Sequence, residues 1–265
     1  MFVLYDMKAN HDSANLVIEI EQVDVKENEL AFWWLGQHGF IIKFPSAIVY
    51  IDPYLSNSPS RNAAPLLKPD DITNASLILG THDHSDHIDR PAWAIIASAS
   101  HDAVFVVPER IKDCLSKQLN IPLHRFAGLD DGMIFEKNNV RITGIAAAHE
   151  LLEMDPVTGL NSFLGYVVES NGMVIYHAGD TCIYEGLQTK LKKWKFDVIF
   201  LPINGRDAKR LRRNCIGNMT YQEAADLAGE LRPGLTIPAH YDMFEGNTED
   251  PEKFIDYMNV KYPFL

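Results

Sequence analysis

With 265 residues, 46% of them hydrophobic, the chain has enough apolar material for a sizeable core in one large domain or two small ones. A formal net charge of -12 argues against a general affinity for nucleic acid, which needs a surplus of Lys and Arg in the contact face. No apolar run approaches the roughly 20 residues of a membrane span, and three scattered cysteines, Cys114, Cys182 and Cys215, suit reduced thiols better than a disulfide framework.

Short β-branched and aromatic runs recur along the chain and predict strands at 30–35, 40–44, 47–52, 76–81, 103–108, 140–148, 163–170, 173–179, 197–203 and 235–240. The first three come as a meander. Helical patterns fall between later strands: RPAWAIIASAS from Arg90, ERIKDCLSKQL after Pro108, a weaker one around 184–193, and TYQEAADLAGEL, where Thr220 and Glu223 form a candidate capping box. This mixture predicts sheets flanked by helices in a single domain over residues 1–265, without internal repeats. The proline-rich segment 54–74 is long for an irregular connection and is a functional-loop candidate.

The strongest chemical signal is THDHSDH, Thr81 to His87, placed directly after the apolar run SLILGT. Imidazole nitrogens and carboxylates are ligands for borderline divalent ions, and His82, His84, Asp86 and His87 crowded at a strand end suit such ions. Four ligands within six residues do not all wrap one ion, so two are expected. Further ligands are available at His149, Asp180 and His240, each closing a strand-like run. Zinc or manganese fits this His and carboxylate set best, with iron also compatible.

The remaining histidines read differently. His11, His101 and His124 lie in polar or turn-like contexts and read as surface or structural residues. His177, three residues before Asp180 in a buried-strand pattern, reads as core or as support behind the ligands. His38, in LGQHGF, reads as a turn residue, or as a substrate contact where it leans over the site.

The meander with Asp52 and Pro53, THDHSDH, His149, the GDT of Asp180, and His240 together resemble the metallo-β-lactamase superfamily, in its order and over almost the whole chain. The resemblance implies a four-layer αββα sandwich with metals at one edge. It implies His82, His84 and His149 on one ion, Asp86, His87 and His240 on the other, Asp180 bridging, and Asp52 supporting from behind. WWLGQHGFIIK, IVYIDPYLS, LPINGRD and IPAHYDMF look most like the L-ascorbate-6-phosphate lactonases and related metal-dependent hydrolases.

A hydroxide held on metal is then the expected nucleophile, with Asp86 and Asp180 as candidate catalytic carboxylates that fix the ions and orient or accept the proton. Two dications, two carboxylates and one hydroxide leave the site at about +1, which attracts a small anionic substrate. Arg206 and Arg210, following the strand DVIFLPI, are candidate contacts for a phosphate or carboxylate, whereas Lys209, Arg212 and Arg213 read as a solvated face. The expected activity is opening of a lactone or related ester, plausibly a phosphorylated sugar-acid lactone. A phosphodiesterase or ribonuclease of the same fold and a non-catalytic metal-stabilised scaffold are the alternatives. A cytoplasmic location, no nucleic-acid or membrane partner and a possible homo-oligomer complete the expectations.

Overall fold

The computed structural model describes residues 12–265. His11, expected at the surface, lies outside the described residues. Two six-stranded sheets face each other. In the first, β1 (Ala31–Gly36), β2 (Gly39–Phe44) and β3 (Ala47–Ile51) run as an antiparallel meander. Parallel strands β4 (Leu77–Leu79), β5 (Val104–Pro108) and β6 (Phe126–Leu129) extend it.

The chain then crosses to the second sheet, through β7 (Ile134–Lys137) and β8 (Val140–Ala146). After the short hairpin β9 (Ala148–His149) and β10 (Leu151–Leu152) come β11 (Leu164–Ser170), β12 (Met173–His177), β13 (Val198–Pro202) and β14 (Leu235–Ala239). Their spatial order is β14-β13-β12-β11-β8-β7, parallel from β14 to β12 and antiparallel beyond.

Strand periodicity divides the apolar residues between layers. Along β2, Phe40, Ile42 and Phe44 point into the core between the sheets, where they join Val49, Tyr166, Val168 and Phe200. Ile41, between them, points outward with Trp33, Tyr50 and Phe105. Because both faces are covered, these strands read as near-continuous apolar runs. The outer face of the first sheet is covered by α1 (Ser13–Gln22), α2 (Arg90–Ala99) and α3 (Glu109–Leu119), through side chains such as Ile20, Trp93 and Leu115. The second sheet is covered by α4 (Leu187–Leu191), α6 (Tyr221–Leu231) and α7 (Pro251–Lys261), through Leu191, Ala224, Leu227 and Phe254. The layers are therefore helix, sheet, sheet, helix, with the short α5 (Ala208–Leu211) on a connecting loop.

The Thr220–Glu223 capping box forms in both directions. The helix read around 184–193 shortens to α4, because Gly186 enters the left-handed region at φ 92° and the chain before it turns. No described helix is long and apolar enough to cross a membrane.

Loop 54–74 is anchored rather than free. Asp89, the N-cap of α2, accepts from the amides of Leu55 and Ser56 at 2.8 and 2.6 Å. Arg61 donates to the Tyr54 carbonyl at 2.9 Å and lies over its ring, and the Asn62 amide donates to the Met243 carbonyl. The loop is thereby tied to the segment that follows His240.

Candidate metal centre

The site gathers where several strands end at one edge of the sandwich. His82 follows β4, Asp52 follows β3, Asp180 follows β12, His240 follows β14, and His149 closes β9. The backbone there is unusually strained for non-glycine residues: Gln37, Asp52, Glu150, His240 and Asp242 all have positive φ, between 47° and 71°. Such conformations persist only where the surrounding structure holds them, and they cluster at functional sites. Gly179 adds a close approach, since a Cβ there would stand 2.4 Å from the Leu164 carbonyl oxygen, which explains glycine before Asp180.

The THDHSDH segment is a tight turn in which the amides of His87 and Ile88 donate to the His84 carbonyl. His82 and His87 are fully buried, while His84 is exposed and Asp86 is half-buried. Three groups of ligand atoms converge within 4.8 Å: His82, His84 and His149; His82, His87 and Asp180; and Asp86, His87 and His240. Asp180 stands among them, with its oxygens 3.4 Å from His87 Nε2, 3.1 Å from His240 Nε2 and 4.0 Å from His149 Nε2. All seven ligand candidates therefore meet in one place.

The ring orientations fit metal binding. Thr81 Oγ1 donates its single hydrogen to Asp52 Oδ2 at 2.7 Å, so it accepts from His82 Nδ1 at 3.0 Å. His87 Nδ1 donates to Asp52 Oδ2 at 2.7 Å, and His149 Nδ1 donates to Asn218 Oδ1 at 3.0 Å. In each ring the hydrogen-bearing nitrogen is used, which leaves the Nε2 lone pair facing the cluster. His87 Nε2 is buried without any hydrogen-bond partner, and His82 Nε2 faces His84 Nδ1 at 2.9 Å. Orphaned and mutually facing nitrogens of this kind suit a shared cation.

Protonation follows the same pattern. Burial lowers the pKa of His82 well below its ordinary value, with the charge of His87 adding to it, and burial also lowers that of His149 against the pull of Asp180. Both are therefore neutral, as ligands must be. Burial opposes ionisation of Asp180, but His240 and His87 outweigh it and hold the carboxyl well below the usual range. For His87, burial is outweighed by Asp180, Asp52 and Asp86, so its pKa is raised. In the absence of a cation a proton on His87 takes the cation's place against three carboxylates.

A family model described as a beta-lactamase superfamily domain matches residues 48–241. The chain belongs to this superfamily of metal-dependent hydrolases. A UPF0173 metal-dependent hydrolase of Pyrococcus abyssi is 30% identical over 227 residues, 83% of this chain and 88% of the relative. One from Lawsonia intracellularis is 29% identical, covering 87% and 91%. Among solved structures, the metallo hydrolase Igni18 of Ignicoccus hospitalis shares the fold with a TM-score of 0.67 at 22% identity, over 86% of this chain and 90% of that one. The metallo-β-lactamase fold protein YhfI of Bacillus subtilis follows at 0.59 and 13%, over 89% and 87%.

Behind the ligand candidates, Asp52 accepts from His87 Nδ1 and Thr81 Oγ1, and also from the Thr81 amide at 2.8 Å. His177 is buried, with Nε2 donating to the His38 carbonyl at 2.8 Å and its ring 4.1 Å from that of His38. His38 differs from the substrate contact considered above. Its side chain is fully buried, stacked on His177 with Nδ1 3.5 Å from Asp180 Oδ1, so it lies behind the bridging candidate and out of reach of substrate. Burial lowers its pKa to about 4 against the pull of Asp180, and lowers that of His177 to about 3 with His38 adding to it.

The arginines also divide. Arg206 lines a cleft of about 170 Å³ with Glu150, Asp207, Leu211, Cys215, Ile216 and Gly217. Its guanidinium is engaged by Glu223 through two hydrogen bonds, at 2.6 and 2.7 Å, and by the Asn218 carbonyl at 3.0 Å. Arg210 is a strut rather than a substrate contact, because it donates to the carbonyls of Gly246 and Thr248 and pairs with Asp207. His101 and His124 are exposed, as expected.

Three supporting residues escaped the sequence reading: Thr81, Asn218 and Gln37. Thr81 was visible as part of the motif, and only its hydroxyl geometry gives it a role. Asn218 sits before the capping box with no local signal of its own, and Gln37 is separated from its partners Asp86 and His240 by 49 and 203 positions.

Proposed function

We propose that the protein opens a small lactone or related ester, such as a phosphorylated sugar-acid lactone, using a pair of divalent ions. The observation that carries the proposal is the convergence of seven ligand candidates in a site that stays accessible at His84 and Asp86. A purely structural site is normally closed and mononuclear. His82, His84 and His149 would hold one ion, Asp86, His87 and His240 the other, with Asp180 between them. When bound, such ions supply Lewis acidity and bring the pKa of water down toward ~7.

The protein's own groups do the rest. Asp52, Thr81 and Asn218 fix the ring orientations, so the ligand atoms are preorganised. Asp86, the more exposed carboxylate, is placed to orient or accept a proton at Oδ2, while buried Asp180 stays ionised. The cleft lies beside the site. Glu150 follows His149, Arg206 touches Asn218, and the Cys215 thiol, raised chiefly by burial, also feels Asp180 and Asp86.

The cleft, at about 170 Å³, has room for a substituent of a small molecule and not for a polymer strand. Glu150 and Asp207 on its walls, with a chain charge of -12, disfavour a nucleic acid. Arg206 uses three of its five donors on Glu223 and Asn218, and the remaining two are available to an anionic group of the substrate. The test is a panel of phosphorylated and unphosphorylated lactones, aryl esters and bis-p-nitrophenyl phosphate, assayed with protein reconstituted in zinc or manganese. Turnover of lactones with no cleavage of the phosphodiester is expected. Cleavage of the phosphodiester alone, or of nothing in the panel, would overturn the proposal.

A further inference from the structure

Gln37 lies in the turn between β1 and β2, fully buried, with φ at 53°. Its backbone is held from two sides. The carbonyl accepts from the His240 amide at 2.8 Å and from Trp34 Nε1 at 3.1 Å, and Gln37 forms an antiparallel bridge with Tyr241. Two strained residues, Gln37 and His240, are thereby locked against each other, and the Gln37 side chain is fixed at the metal centre.

The inward end of its amide stands 3.1 Å from Asp86 Oδ2 and 3.3 Å from His240 Nε2. That Asp86 oxygen is also 3.7 Å from the orphaned His87 Nε2. The space bounded by the ligand atoms of Asp86, His87 and His240 therefore has the Gln37 amide as a further wall. The other end of the amide is buried with no hydrogen-bond partner. A half-turn about the last torsion exchanges oxygen and nitrogen at almost no change in shape.

With NH2 inward, the amide donates to Asp86 but turns its positive end toward a cation. With oxygen inward, the carbonyl dipole points its negative end at the same place, and each arrangement leaves one amide end without a protein partner. A cation decides between them in favour of oxygen.

We infer that Gln37 is a ligand for the ion held by Asp86, His87 and His240, presenting its amide oxygen. The inference rests on the two-ion reading of the site. It makes the two positions chemically unlike. The His82, His84 and His149 position has three nitrogens and only the shared Asp180 as oxygen, whereas the other gains an oxygen beyond Asp86 and Asp180 and exceeds four protein ligands. An oxygen-rich set of higher coordination number suits manganese or ferrous iron better than zinc. It also leaves the second position fewer open sites, so substrate is directed to the His84 side.

The experiment compares wild type with Gln37→Leu, Gln37→Asn and Gln37→Glu, each stripped with chelator, shown to be folded by circular dichroism, and titrated with Mn2+ and Zn2+. Bound metal is counted by elemental analysis and affinity is read by calorimetry. Asn tolerates the left-handed backbone but is one methylene too short to reach, so it serves if the Leu variant does not fold. Wild type is expected to bind two ions. Gln37→Leu and Gln37→Asn are expected to keep one ion and to weaken the second at least tenfold, more for Mn2+ than for Zn2+. Gln37→Glu, which restores an oxygen, is expected to hold the second ion at least as tightly as wild type. Two ions bound with wild-type affinity in the Leu or Asn variant would overturn the Gln37 assignment alone. A wild-type protein that binds a single ion would overturn the two-ion reading and this assignment with it.

Discussion

Replacing Asp52 by Asn tests whether the site is held from behind through His87. The change keeps side-chain shape, and Asn tolerates the φ of 47° at this position. Asp52 uses one oxygen on the Thr81 amide and the other on both Thr81 Oγ1 and His87 Nδ1, at 2.8, 2.7 and 2.7 Å. In the Asp52→Asn variant the remaining side-chain oxygen can keep the Thr81 amide, but the new NH2 must then face His87 Nδ1. That ring responds by carrying its proton on Nε2, the nitrogen that faces Asp86 and Asp180.

Loss of a partner that fixes a ligand's tautomer typically weakens metal binding 10–100-fold, about 1.4–2.7 kcal/mol. The His82, His84 and His149 position feels the change only at one remove, through Thr81 Oγ1, which loses Asp52 Oδ2 as its acceptor but can still accept from His82 Nδ1, so it is expected to lose less affinity. Calorimetric titration with Zn2+ or Mn2+ resolves the two. Equal affinity of wild type and Asp52→Asn for every ion bound would refute the reasoning, as would equal loss at both positions.

Acid stability is expected to depend on the buried pair His38 and His177. Their folded pKa values, about 4 and about 3, lie below the ordinary 6.5, so the unfolded chain binds more protons in between. Their contribution is complete above about pH 6.5 and is lost as pH falls toward the folded values. At pH 4.5 each buried ring accounts for up to about 2.7 kcal/mol, from two pH units at 1.36 kcal/mol each. Urea unfolding of metal-stripped protein should show a shallower loss between pH 7 and 4.5 in His177→Phe, and an unchanged slope would contradict this. Arg206→Ala should lower kcat/KM for a phosphorylated lactone about tenfold or more and leave the unphosphorylated one within about twofold. Equal effects on both would remove the substrate role.

Much of the fold was legible because its strands are buried on both faces and read as continuous apolar runs, as with IIKF and DVIFLPI. The short β6, β7 and β10 were not legible, since FAGL, IFEK and LL carry too little pattern, and β6 owes its place to pairing beside β5. The helices α1 and α7 also escaped, although Asp250 caps α7 immediately before Pro251. In the site, the ligand candidates were readable because metal chemistry demands a few residue types at strand ends. Long-range partners are different. Gln37 acquires its place only when β1, the Asp86 turn and the His240 turn meet in space, and no local spacing encodes that meeting. Arg210 misled for a related reason: position near a strand end shows proximity but not which way a long side chain is drawn, here toward Gly246 and Thr248.

The most direct test of the central claim is anomalous diffraction from crystals of the protein grown with zinc or manganese, collected at the corresponding absorption edge. Two peaks are predicted, one among His82, His84 and His149 and one among Asp86, His87 and His240, with Asp180 between them. A single peak, or peaks away from these residues, would contradict the account.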